Sequence, residues 1–162
     1  MCRSLVKRCK TRDPFELADI LGVHVEFDNL RRLKGYYSYM NRIRLIVISE
    51  NLDSPMQALV CAHELGHDRL HFKLACRSPL RDEGFSSSGK TEIEANRFAA
   101  NILVSDEDYL EYAELGYTSR QIASALCVCP EIVLIKERIL TSDGIQLRIA
   151  DMPRSDFLKR MD

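Results

Sequence analysis

No apolar run in the chain approaches the roughly 18 residues of a membrane-spanning helix, and neither sign of charge is in excess. Lys and Arg number 23 against 24 Asp and Glu, a net charge of −1. The first absence argues against a helical membrane span. The second argues against a protein whose main task is to grip nucleic acid by its phosphates, which takes a surplus of basic side chains. The basic N-terminus "MCRSLVKRCK" is not followed by an apolar signal core, so a cytoplasmic location is expected. None of the cysteines, Cys2, Cys9, Cys61, Cys76, Cys127 and Cys129, belongs to a C-x-x-C pair, and "CVC" at 127–129 is too tight for a usual zinc knuckle. They read as reduced thiols, several packed as small hydrophobes. Internal repeats and low-complexity blocks are also missing.

What remains is an ordinary globular composition. The 162 residues are 46% apolar and 29% charged, which suits one domain, or a compact core with a small appendage. Residues 3–21 read as helical, with Asp13 as N-cap, Pro14 at the first helical position and Gly22 as the stop. "VHVEF" alternates like a short strand, where His24 is a surface or packing residue. "KGYYSYM" and "RIRLIVIS" flank Asn41 as a β-hairpin, and the alternation of Arg42 and Arg44 with Ile43 and Leu45 predicts one wet face. Ser54, Pro55 and Gln57 mark a helix start, with Ser54 as cap, and the helix runs over 55–71. Residues 73–90 read as loop, mobile at "SSSG". Helices follow at 91–104 and from 106, and 118–140 holds two short helices around a turn.

The chemistry concentrates in "CAHELGHDRLH", residues 61–71. His63 and His67 are four apart, so a helix places both imidazoles on one face, about 6 Å apart along its axis. Two nitrogens at that spacing can converge on one ion. Glu64 is placed to act on a water as general base. This is the H-E-x-x-H arrangement of metal-dependent hydrolysis. His71 lies eight residues from His63, about 12 Å along a straight helix, too far to share the ion. The longer motif with a third histidine needs Gly and His where Leu70 and Lys73 stand. His71 is therefore read as packing, or as support for a ligand. Gly66 costs about 1 kcal/mol in a helix interior relative to Ala, so close approach of another backbone is expected there.

A catalytic site needs one more protein ligand. On the helix 91–104, Glu92 falls within the apolar stripe of Ala95, Phe98, Ala99, Ile102 and Leu103, whereas Glu94 falls opposite, with Arg97 and Asn101. A carboxylate aimed inward is costly unless neutralised. Glu92 is the expected ligand, a buried salt bridge to Arg97 or a distant Lys being the other reading. Glu94 is expected to be a solvated surface charge. Asn96, one turn after Glu92, can hydrogen-bond a ligand histidine and fix its tautomer. Tyr36, Tyr37 and Tyr39 are candidate oxyanion donors, each more simply read as strand packing, and the hairpin edge could pair with an extended substrate.

These residues resemble the ImmA/IrrE family of zinc metallopeptidases. "DPFELADILGVHV", "KGYYSYMNRIRLIVISENLD", "LVCAHELGHDRLH" and "EIEANRFAANILVS" look like successive family blocks over about residues 10–106. The ending "LVSD" departs from the usual Leu-Met-Pro type, which bears on how the helix stops. The resemblance implies an α+β, mainly helical, zincin-like core with a small antiparallel sheet over 1–106, and one zinc ion per chain held by His63, His67 and Glu92. It also implies a cytoplasmic protease, often carried by prophages, mobile elements or stress-response loci, that cuts a helix-turn-helix repressor as its partner. Residues 107–162 form a helical, helix-turn-helix-like region packed on that core. Its second helix, from Pro130 and Glu131 into Ile132, Val133, Leu134 and Ile135, suits protein packing or docking rather than DNA. The competing expectation is a non-catalytic regulator, binding DNA or a repressor, whose zinc is structural. A purely structural site, however, has no use for Glu64.

Overall fold

A computed structural model describes residues 2–75, 80–82 and 89–145. The fold is α+β. Helix α1 (Cys2–Cys9) and helix α2 (Pro14–Leu21) are separate, divided where Lys10 takes a positive φ. Asp13 caps α2 by accepting from the Phe15 N–H at 2.8 Å, and Gly22 closes it at φ 69° and ψ 38°, the left-handed region that only glycine enters without cost.

Strands β1 (His24–Asp28), β2 (Gly35–Met40), β3 (Ile43–Ser49) and β4 (Leu80–Asp82) form a sheet in the order β1-β3-β2-β4. β2 runs antiparallel to both β3 and β4, but β1 is parallel to β3, with Val25 opposite Ile46. The expected antiparallel sheet is therefore mixed. β3 thus lies between β1 and β2 instead of at an edge, and its Ile46, Val47 and Ile48 are all buried. Asn41 and Arg42, both at positive φ, make the two-residue turn between β2 and β3, whose twist suits a hairpin. The predicted wet face of β3 is corrected too. Arg44 is only 27% exposed at its side chain and turns inward to Asp68 and to the Leu21 carbonyl at the end of α2. His24 is exposed at the start of β1.

Helix α3 (Ser54–Ala75) runs longer than predicted and departs from helical geometry at His71, φ −125° and ψ 18°. Its cap is Asp53, not Ser54: the Asp53 carboxylate accepts from the Met56 N–H at 2.9 Å, and its carbonyl from the Gln57 N–H at 2.8 Å. Asp competes well with Ser as a cap, and here it comes one residue earlier. The predicted loop 73–90 thus begins inside α3 and includes β4. The stretch "SSSG" down to its last serine, Cys76, and the tail from 146 lie outside the described residues.

Helix α4 (Lys90–Leu103) follows, then α5 (Asp106–Glu114), α6 (Ser119–Ala125) and α7 (Pro130–Ser142). At the "LVSD" departure α4 ends and Ser105 caps α5, accepting from the Asp108 N–H at 2.8 Å. Helices α3 and α4 lie between two apolar clusters. One joins them to α1, α2 and the sheet through Leu17, Tyr37, Ile46, Leu65 and Phe98. The other joins their opposite faces, Leu59, Ala62, Ala99 and Ala100, to Ile122, Ile132, Val133 and Leu140 of the last helices. Asn101, expected at the solvent, accepts at 2.9 Å from Lys136 of α7, a lysine 1% exposed that also pairs with Asp106. Burial and the nearby Arg12 and Arg3 bring that lysine down to about 8. Arg12 meanwhile donates to the Asn101 and Ile102 carbonyls, each at 3.0 Å, which ties down the C-terminal end of α4.

Candidate metal centre

Helix α3 carries three fully or nearly fully buried polar side chains in one turn: His63, Glu64 and His67. Such a turn needs partners, since buried polar groups are costly when unmet. Part of the answer is α4, which crosses α3 at Gly66. A Cβ there would lie 3.0 Å from the Ala95 Cα and 3.2 Å from its carbonyl oxygen. The glycine lets the two backbones come close enough for side chains of α4 to meet the histidines.

The meeting point is compact. His63 Nε2 and His67 Nε2 are 3.1 Å apart, Glu92 Oε2 is 3.2 Å from His63 Nε2, and Glu92 Oε1 is 3.4 Å from His67 Nε2. Ligand atoms of the three residues all fall within 4.8 Å of one another. Donors at the zinc–nitrogen distance of about 2.0–2.1 Å in a tetrahedron are separated by about 3.3 Å, so the spacing suits a single ion. Glu94 lies outside this group, 40% exposed at its side chain, near His71 at 3.5 Å and Lys90 at 3.9 Å.

Hydrogen bonding decides which atoms are available. His63 Nδ1 donates to the Asn96 amide oxygen at 2.9 Å, which leaves Nε2 with its lone pair. Burial, then the neighbouring His63, pulls His67 down to about 4, so it is neutral at pH 7, and its Nδ1 is buried with no hydrogen-bond partner among the described residues. The contact with His63 is the chief reason that the Glu92 carboxyl is held below its ordinary range, against the opposing effect of burial. Two imidazole nitrogens and a carboxylate therefore compete for protons at one largely buried point. A divalent cation relieves that conflict, and the donor set of two imidazoles and one carboxylate fits zinc.

Two of the three tyrosines on β2 have contacts of their own. Tyr37 is fully buried and donates to Asp68 at 2.8 Å, and Tyr39 packs edge-on against Phe72, ring centroids 4.8 Å apart. Tyr36 is half-buried. Asp68 was not singled out from the sequence. It is 3% exposed and holds α3 to the sheet through Tyr37 and Arg44. Only its place directly after His67 marked it. Of the cysteines, Cys2, Cys9, Cys61, Cys127 and Cys129 are free, and burial pushes the Cys61 thiol far up, so it packs as a neutral hydrophobe. Among the described residues no helix is long and apolar enough to cross a membrane.

Known proteins share this chain's pattern. Residues 18–136 match the IrrE N-terminal-like peptidase domain. The chain is 35% identical to an uncharacterized immunity region protein 2 of Bacillus phage phi105, over 82% of this chain and 84% of that protein. It is 31% identical to the metallopeptidase ImmA of Bacillus subtilis (strain 168), over 75% of this chain and 73% of that one. The match spans the sheet, the helices that carry His63, His67 and Glu92, and most of the C-terminal helices. The chain belongs to the ImmA/IrrE family of metallopeptidases.

Proposed function

We propose that the protein is a cytoplasmic zinc-dependent endopeptidase that cuts a helix-turn-helix transcriptional repressor and so relieves repression. The observation that carries this reading is the convergence of His63, His67 and Glu92 at one point, with the buried Glu64 on the same turn of α3. His63, His67 and Glu92 would hold a zinc ion, which would supply Lewis acidity to acidify a water and polarise a peptide carbonyl. Glu64 takes a proton from the attacking water as its oxygen bonds to the carbonyl carbon. It returns that proton to the amide nitrogen as the C–N bond breaks. His67 presents a neutral nitrogen at pH 7. Asn96 accepts from His63 Nδ1, which favours the tautomer whose Nε2 would face a metal.

The repressor as substrate is supported by the relatives, one of which is named for an immunity region. For the helix-turn-helix-like pair α6 and α7, we favour packing or docking of a protein over reading DNA. Ile132, Val133, Lys136, Ile139 and Leu140 of α7 are buried, while Glu131 at its start is exposed. An exposed acid at the end that would enter a major groove repels phosphate.

The test is incubation of the purified protein with the repressor encoded beside it, with and without chelator, against Glu64→Gln. Cleavage is expected to need the metal, and Glu64→Gln is expected to bind zinc while losing cleavage by about 10²–10⁴-fold, the usual share of a general base. Equal cleavage by that variant, or by chelated protein, overturns the reading.

A further inference from the structure

Helix α4 is held unevenly. Its C-terminal end is tied by Arg12 and Lys136, whereas its first turn, which carries Glu92, begins at Gly89 with no side-chain cap among the described residues. Uncapped first turns leave backbone groups unmet and fray. Lys90 offers little help, being 89% exposed at its side chain and paired only loosely with Glu94. One side chain of the neighbouring helix does reach that turn. His71 Nε2 lies 3.1 Å from the carbonyl oxygen of Thr91, the residue directly before Glu92. A carbonyl only accepts, so Nε2 carries the hydrogen. His71 is 8% exposed, its Nε2 is 3.5 Å from Glu94 Oε2, and its ring lies 5.5 Å from that of His67. The α3 backbone leaves helical geometry at this very residue.

On the proposed zinc site, and standing or falling with it, we infer that His71 is a positioning residue for the third ligand. Its ring ties the Thr91 carbonyl to α3, and so holds the turn that presents Glu92 to His63 and His67. It is not a ligand itself: its Nε2 is spent on α4. The histidine that the spacing excludes from the ion thereby acts on it through one backbone carbonyl and one peptide unit.

The experiment is zinc affinity of the full chain, read by competition with a chromophoric chelator, together with the visible spectrum of the cobalt-loaded protein. His71→Leu, which keeps bulk and removes the donor, is expected to weaken zinc by about 10-fold or more, the range found for groups that orient a ligand. The cobalt bands should shift as the carboxylate loosens. His71→Gln, whose amide reaches as far as Nε2, is expected to recover most of the affinity, and His71→Asn, which is shorter, is not. In a Glu92→Ala background His71→Leu should cost nothing further, because the residue it positions is gone. A merely structural histidine would lower the melting temperature of all variants alike and leave that cycle additive. Wild-type affinity and spectrum in His71→Leu, or an equal loss with and without Glu92, overturns the role of His71. Should the leucine variant not fold, equal affinities of the Gln and Asn variants do so instead. Failure of the wild-type chain to bind zinc overturns the metal site as well.

Discussion

Gly66 of α3 and Ala95 of α4 touch backbone to backbone, so that a Cβ on the glycine would stand 3.0 Å from the alanine Cα. This contact sets how near Glu92 comes to the two histidines. Gly66→Ala improves helix propensity by about 1 kcal/mol, but the added methyl overpacks against main chain, at about 1–3 kcal/mol. Backbone cannot swing aside as a side-chain tip can, so the variant is expected to be less stable by about 1 kcal/mol net. Its zinc affinity should fall too, since α4 must move with its carboxylate. Denaturant unfolding and chelator competition check both. A more stable variant with unchanged affinity shows that the crossing tolerates a wider gap.

The two candidate acids give a direct contrast. Glu92 lies 3.2 and 3.4 Å from the histidine nitrogens, while Glu94 is half-exposed beside His71 and Lys90. Glu92→Ala is expected to weaken zinc by more than the roughly 100-fold that loss of a supporting group causes. Glu94→Ala, which removes an exposed charge, should change it by no more than about threefold. The reverse order would move the site to the other face of α4.

Much of this site was legible because its determinants are local. Spacing of four puts His63 and His67 on one helical face whatever surrounds them, and the 100° step separates Glu92 from Glu94. Gly66 announced a close approach because nothing within its own helix rewards a glycine. What stayed hidden depends on partners distant in the chain. Arg44 looked wet by alternation, yet meets Asp68, 24 residues on. Asn101 looked solvated until α7 brought Lys136 over it. The parallel pairing of β1 with β3 depends on where the hairpin docks, which strand periodicity does not encode. The cap moved from Ser54 to Asp53 because adjacent residues are both good caps, and only the chain's path chooses between them.

Asn96 separates tautomer control from metal binding. Its amide oxygen accepts a hydrogen bond from His63 Nδ1 at 2.9 Å. Asn96→Ala removes that acceptor, lets the proton occupy Nε2 and is expected to weaken zinc by about 10–100-fold. Asn96→Asp keeps an acceptor at the same place and should bind zinc more tightly than the alanine variant. If both bind alike, the hydrogen bond does not govern the ligand, and its role is to join α3 to α4.

Acid should destabilise the metal-free protein in a defined window. His67 is pulled from 6.5 to about 4 in the folded chain. Between those values the unfolded chain holds a proton on this residue that the folded chain does not, so folding stability falls as pH drops from about 6.5 towards 4 and levels below. Glu92, held below its ordinary 4.5, adds loss of the same sign only below about 4.5, where the unfolded chain takes up a proton that the folded chain does not. The two contributions are therefore separable above pH 4.5. Denaturant unfolding in chelator at intervals from pH 7.5 to 4.5 should show a downward slope in the wild type and a flatter one in His67→Gln, which cannot titrate. Zinc should steepen the wild-type slope, because protons and the ion compete for the same nitrogen. Identical slopes in the two proteins would mean that His67 is protonated as readily folded as unfolded, and that its nitrogen is not reserved for a cation.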